Sequence, residues 1–132
     1  MIYLEGVVSS GMQKASKFIE LPVYKKQYEH KLGFTPYPGT LNIKLQNDIE
    51  VDVEDEYANK LQKISGEGKY GDVFFLFASL STKDNTKTKK GAILFPVRSV
   101  YTTDTLEFVC EDNLRKTMDL KNGDVVVLKF RE

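Results

Sequence analysis

Polar and apolar positions along this chain follow the two-residue period of strands more often than the helical period. Ile2 to Val8 is apolar and β-branched, and Ser9-Ser10-Gly11 closes it, which predicts a first strand followed by a turn. Val73 to Leu80 and Ala92 to Val97 carry the strongest strand signal, and Thr105 to Val109 and Val125 to Phe130 add two more. Leu41 to Leu45 and Ile49 to Val53 read as separate strands around Gln46-Asn47-Asp48. Helical spacing is rarer. Pro22 stands at a first helical position, Leu21, Tyr24, Tyr28 and Leu32 recur on one face, and Gly33 supplies a C-terminal cap. Glu54 to Ile64, rich in Lys and Glu, predicts a peripheral helix ending near Gly66, and Asn113 to Met118 predicts a helical turn. Lys121-Asn122-Gly123-Asp124 is a turn feeding the last strand, and Ser81 to Lys90, with Lys83, Lys87, Lys89 and Lys90, reads as a solvated hairpin tip. About six strands with two or three short helices predict a mainly β fold, a small barrel. No fixed-period repeat or linker divides the chain, so residues 1–132 are read as one domain.

Composition narrows the function classes. A chain of 132 residues can bury most of its apolar surface without staples. Nineteen basic residues balance nineteen acidic ones, which removes the net attraction that nonspecific nucleic-acid or anionic-membrane binding needs. Cys110 is the single cysteine, so an intrachain disulfide and a cysteine-rich zinc site are excluded, and the residue reads as a small core side chain. No signal-peptide pattern opens the sequence, and its apolar runs are too short to span a bilayer. The expectation is a soluble, cytoplasmic protein with no membrane or nucleic-acid partner.

Candidate chemistry centres on Pro38-Gly39-Thr40-Leu41-Asn42. Pro38 fixes its φ and Gly39 permits a positive one, so the pair reads as a tight turn delivering Thr40 and Asn42 to one face of a strand while Leu41 and Ile43 face a core. Two neutral oxygens side by side suit a magnesium ion that arrives with phosphates; the same two side chains equally suit hydrogen bonds to local backbone at a hairpin start. Familiar nucleotide signatures are absent: there is neither a G-x-x-x-x-G-K-[ST] loop nor a strand-anchored G-x-G-x-x-G. His30, the only histidine, sits late in the first predicted helix, where it complements the carboxyl end. One His and one Cys at unrelated positions assemble no nucleophilic triad.

Taken in order, Ser10-Gly11, Leu32-Gly33-Phe34, Pro38-Gly39-Thr40-Leu41-Asn42, Pro96, Arg98-Ser99, Leu106-Glu107, Leu114-Arg115 and Asn122-Gly123-Asp124 resemble the archaeal CTP-dependent riboflavin kinases over almost the whole chain. The resemblance implies a cradle-loop, riboflavin-kinase-like β-barrel of six strands that transfers the γ-phosphoryl group of CTP to riboflavin, giving FMN and CDP with Mg2+. It implies nucleotide binding by Gly11, Met12, Gln13, Lys14, Ala15 and Ser16 and by Asp112, Asn113, Leu114 and Arg115. It implies flavin binding by Ser99 and Glu107 and metal binding by Thr40 and Asn42; it leaves the general base unknown. The chain departs from the family pattern at Gln13, where a glycine is expected, at Lys14, where an acidic residue is common, and at Ser99, where threonine is usual. The expectation is that Lys14 compensates for the missing glycine by meeting phosphate directly. Two other readings stand beside this one, a catalytically silent flavin or nucleotide binder and a DNA-binding barrel regulator. The small-molecule reading carries the expectation of a monomer.

Overall fold

The computed structural model describes residues 2–10, 19, 21–52, 62–64, 73–96 and 100–130. Among these residues seven strands and two helices are described in full, in the order β1 (Ile2–Ser9), α1 (Pro22–Leu32), β2 (Leu41–Asp52), β3 (Gln62–Ile64), β4 (Val73–Thr82), β5 (Thr88–Pro96), β6 (Val100–Val109), α2 (Leu114–Thr117) and β7 (Val125–Phe130). Six of the strands close into an antiparallel barrel in the order β4-β5-β6-β2-β1-β7, and β7 pairs back onto β4. β3 lies outside this ring, paired with β4 through Gln62↔Phe75 and Ile64↔Val73. The mainly β, six-stranded barrel read from the sequence is therefore the observed fold.

Strand alternation separates two apolar layers. Inward positions, among them Val8, Leu41, Ile43, Leu80, Ile93, Leu106, Phe108, Val126 and Leu128, fill the barrel, and Leu114, Met118 and Leu120 from the α2 region join the same cluster. Outward positions Phe75, Ala92, Leu94 and Val109 are covered by Tyr24, Tyr28 and Leu32 of α1. Pro22 and Gly33 bound α1 as read, with Gly33 at φ 80°, a conformation that costs glycine little, and its N–H donating to the Glu29 carbonyl. The Lys31 ammonium donates to the Lys63 carbonyl, tying α1 to β3.

Four expectations are corrected. The helix predicted over Glu54 to Ile64 lies mostly outside the described residues, but its end, Gln62–Ile64, is a strand: β4 offers an open edge, and pairing there overrides local helix propensity. Leu41 to Val53 does not break at Gln46-Asn47-Asp48; β2 continues to Asp52 and absorbs the polar triplet in a register shift between Lys44 and Ile49. The hairpin tip is shorter than Ser81 to Lys90, because β5 begins at Thr88 and Ser81 pairs with it. The Asp84 carboxylate organises that tip, accepting from Thr82 Oγ1 (2.7 Å), Thr86 Oγ1 (2.8 Å) and Thr86 N (3.1 Å), and these bonds hold its pKa down to about 2. Lys89 is no free loop lysine: it reaches Glu111 at 3.3 Å and Asp112 at 2.5 Å. Fourth, Gly39 is not among the glycines with positive φ; the turn forms instead by Gly39 N–H donating to Tyr37 O at 2.7 Å across Pro38.

Candidate functional site

Thr40 and Asn42 share the outward face of β2, as alternation requires, while Leu41 and Ile43 point into the barrel. Asn42 lies directly opposite Glu107 on β6 and Ser9 on β1. Glu107 in turn faces Leu94 on β5, one of the outward residues beneath α1. Three polar side chains thus sit on a largely apolar face, and all three are buried: Thr40 is 8% exposed, Asn42 2% and Glu107 6%. A buried carboxylate is costly unless hydrogen-bonded, and here Thr40 Oγ1 donates to Glu107 Oε1 at 2.8 Å.

Asn42 Oδ1 is buried and finds no hydrogen-bond partner among the described residues. An unmet buried acceptor costs about 1–3 kcal/mol, so Asn42 Oδ1 is an oxygen with lone pairs to offer a ligand. A hard divalent cation suits this donor set: an amide oxygen beside a hydroxyl whose proton is already given to a carboxylate. Among the described residues no group of three or more His, Cys, Asp or Glu gathers to hold a metal, so an all-carboxylate cage is not built here.

Tyr28 completes this buried group. Its hydroxyl also finds no partner among the described residues, and burial, with the neighbouring Tyr24 and the Glu107 charge, pushes its pKa well above the ordinary tyrosine range. It stays a protonated donor at any working pH. Sequence reasoning placed Tyr28 on the buried face of a helix and assigned it no chemistry; helical spacing carries no sign of which sheet residue it will face.

The Pro38 turn opens onto a cleft of about 270 Å3, and its walls include Tyr37, Pro38, Gly39, Thr40, Leu41, Asp112, Asn113, Leu114 and Arg115. The structure therefore brings together two segments that the sequence separates by some seventy positions: the expected metal residue Thr40 and the expected second nucleotide segment. Tyr37 N–H donates to Cys110 O at 2.8 Å, docking the turn on the end of β6, and Asn113 Nδ2 donates to Tyr37 Oη at 3.2 Å. Cys110 is buried behind this junction, with its thiol pKa raised by burial, and bonds to the backbone of Asp112, which fits a core residue and not a nucleophile. His30 is exposed in the last turn of α1.

Arg115 extends to the carboxyl end of β1. Its Nη2 donates to Ser9 O at 3.1 Å and Asn122 Oδ1 at 2.8 Å, and Asn122 Nδ2 donates to Ser10 Oγ at 3.2 Å. These bonds tie Ser9 and Ser10, at the end of β1, to Arg115 of the expected second nucleotide segment. Gly11, Met12, Gln13, Lys14, Ala15 and Ser16 themselves, and Ser99, lie outside the described residues. No helix among the described residues is long and apolar enough to cross a membrane.

A closed antiparallel barrel with a buried set of hydroxyl, amide and carboxylate oxygens beside an end cleft defines a small-molecule-binding β-barrel. The family model CTP-dep_RFKase, described as a domain of unknown function, DUF120, matches residues 8–130. The chain is 58% identical over 132 residues to a riboflavin kinase of Methanosphaera stadtmanae, covering all of both chains. It is 40% identical over 121 residues to a riboflavin kinase of Methanothermobacter thermautotrophicus, covering 92% of this chain and 93% of that one. A third, from Methanobrevibacter smithii, is 32% identical over 135 residues, covering 96% and 98%. The chain belongs to this family of archaeal riboflavin kinases.

Proposed function

We propose that this chain, acting as one domain in the cytoplasm and as a monomer, transfers the γ-phosphoryl group of CTP to a ribityl hydroxyl of riboflavin, releasing FMN and CDP. The observation that carries the reading is the unpartnered, buried Asn42 Oδ1 beside the Thr40–Glu107 hydrogen bond, with Thr40 itself lining the cleft that Asp112 to Arg115 complete. Family membership supports riboflavin as the acceptor, and the name of the family model favours CTP as the donor.

Phosphoryl transfer asks a protein mainly for alignment and charge neutralisation. In this reading Thr40 and Asn42 hold Mg2+, which when bound neutralises charge on the donor's phosphates. Glu107 takes the flavin together with Ser99, and its bond from Thr40 links the flavin side of the site to the metal side. Asp112, Asn113, Leu114 and Arg115 hold the nucleotide from the wall of the cleft, and Gly11 to Ser16, with Gln13 and Lys14 in place of the usual residues, take its phosphates. The ribityl oxygen forms the new bond to phosphorus, the bond from the γ-phosphorus to the β–γ bridging oxygen breaks, and the hydroxyl proton leaves.

The test is incubation of the purified protein with riboflavin, magnesium and each of CTP, ATP, GTP and UTP in turn, resolving FMN by chromatography. FMN with CTP alone supports the proposal in full. FMN with several nucleotides refutes the donor assignment, and no FMN from folded, riboflavin-binding protein identifies a silent binder.

A further inference from the structure

We propose that Tyr37 is the platform on which the base of the nucleotide donor stacks; this rests on the reading of the cleft as a nucleotide site. Tyr37 is one of the large apolar or aromatic residues left exposed on the described surface, at 39%, and it alone of these lines the cleft. The others, Tyr3 on β1 and Phe77 on β4, lie elsewhere, with Tyr3 beneath the Lys129 ammonium and Phe77 edge-on to Phe75.

Exposure of an aromatic ring would ordinarily need no explanation, but this one is held in place at three points. Pro36 and Pro38 flank it and restrict the backbone on both sides. Its N–H is bonded to Cys110 O and its carbonyl to Gly39 N–H, so the residue is anchored to the end of β6 and to the turn that carries Thr40. Asn113, which also lines the cleft, donates to the phenol oxygen and so fixes the ring's far end. The ring lies beside Gly39, where an added Cβ would stand 3.4 Å from Tyr37 Cε1, an ordinary van der Waals contact, so the ring packs on the turn that precedes Thr40.

A rigid, half-exposed ring on a cleft that Leu41, Phe108 and Leu114 also line, with the Asn113 amide and the Arg115 guanidinium beside them, is what a nucleobase uses: every base offers a π-face, and stacking excludes water from both partners. The phosphates would then run toward Thr40 and Arg115, which border the same cleft. Stacking alone does not choose between bases; Tyr37 gives affinity, and the edges of the base are left to the Asp112–Arg115 wall.

The experiment titrates CDP, and separately tripolyphosphate, which has no base, into the parent and into Tyr37→Phe, Tyr37→Leu and Tyr37→Ala, each with magnesium. CDP affinity should stay within about threefold for Tyr37→Phe and fall about 5- to 100-fold for Tyr37→Leu and Tyr37→Ala, while tripolyphosphate affinity stays level throughout. Equal CDP affinity in all four proteins, or parallel losses of CDP and tripolyphosphate, would overturn the proposal. A parent that binds CDP yet forms no FMN contradicts the kinase reading alone, and the variant series still decides the platform. A parent that binds no CDP overturns both.

Discussion

Thr40 and Glu107, 67 positions apart in sequence, are joined by a buried hydrogen bond of 2.8 Å across the outward face of β2 and β6. The bond does two things. It satisfies a carboxylate that burial would otherwise penalise, and it couples the residue expected at the metal to the residue expected at the flavin.

Replacing that carboxylate by its amide isostere should separate charge from shape. Hydrogen bonds to a charged group contribute about 1.5–3 kcal/mol, so Glu107→Gln should lower kcat/KM for riboflavin about 10- to 100-fold while circular dichroism shows an unchanged fold. A variant with parental kcat/KM would show that the carboxylate's charge does not act on the flavin.

Asn42→Ala divides function from stability in a different way. Asn42 Oδ1 has no partner among the described residues, so its removal should leave the denaturation midpoint level or slightly higher, while most FMN formation is lost even at saturating magnesium. Activity near that of the parent would remove Asn42 from the metal site.

Tyr28→Phe deletes a second unpartnered buried polar group, and the stability measured by urea denaturation should rise by about 1 kcal/mol. The alkaline arm supplies a sign. The folded-state pKa is raised, so the native state keeps its proton while the unfolded chain loses one above about pH 10, and stability falls as pH climbs beyond that value. Tyr28→Phe should flatten that fall between about pH 9.5 and 11. A fall as steep as the parent's would show that Tyr28 is not the group behind it, and a variant less stable at neutral pH would mean that the hydroxyl is hydrogen-bonded in the folded protein.

Gly91 tests the barrel itself. A Cβ there would stand 2.2 Å from the Val109 carbonyl oxygen and 2.7 Å from the Phe108 ring, where β5 meets β6. Gly91→Ala should destabilise by about 1–3 kcal/mol or more, read from the denaturant midpoint, because backbone must move to admit it. An unchanged midpoint would show that the two strands do not approach so closely.

Much of this architecture was legible because local signals and tertiary demands coincide. Pro22 and Gly33 mark both ends of α1, and the alternation from Thr40 to Ile43 puts oxygens on one side of β2 and core residues on the other. The misses have a common origin in contacts between distant segments. Gln62–Ile64 is a strand only because β4 pairs with it, and β2 carries its polar triplet because β6 continues alongside. Tyr37 reads in sequence as one residue of a proline-rich turn; its role at the cleft depends on Cys110 and Asn113, which only folding brings near. The resemblance to a known family named Glu107 where periodicity saw an ordinary strand residue, and Tyr28, beneath the same face, came from the structure alone.

The most direct test of the central claim follows the phosphorus. With CTP labelled at the γ-phosphorus, riboflavin and magnesium, the account predicts that label appears in FMN in one-to-one proportion with CDP formed. Label released as inorganic phosphate, or retained in CTP while folded protein binds riboflavin, would contradict it.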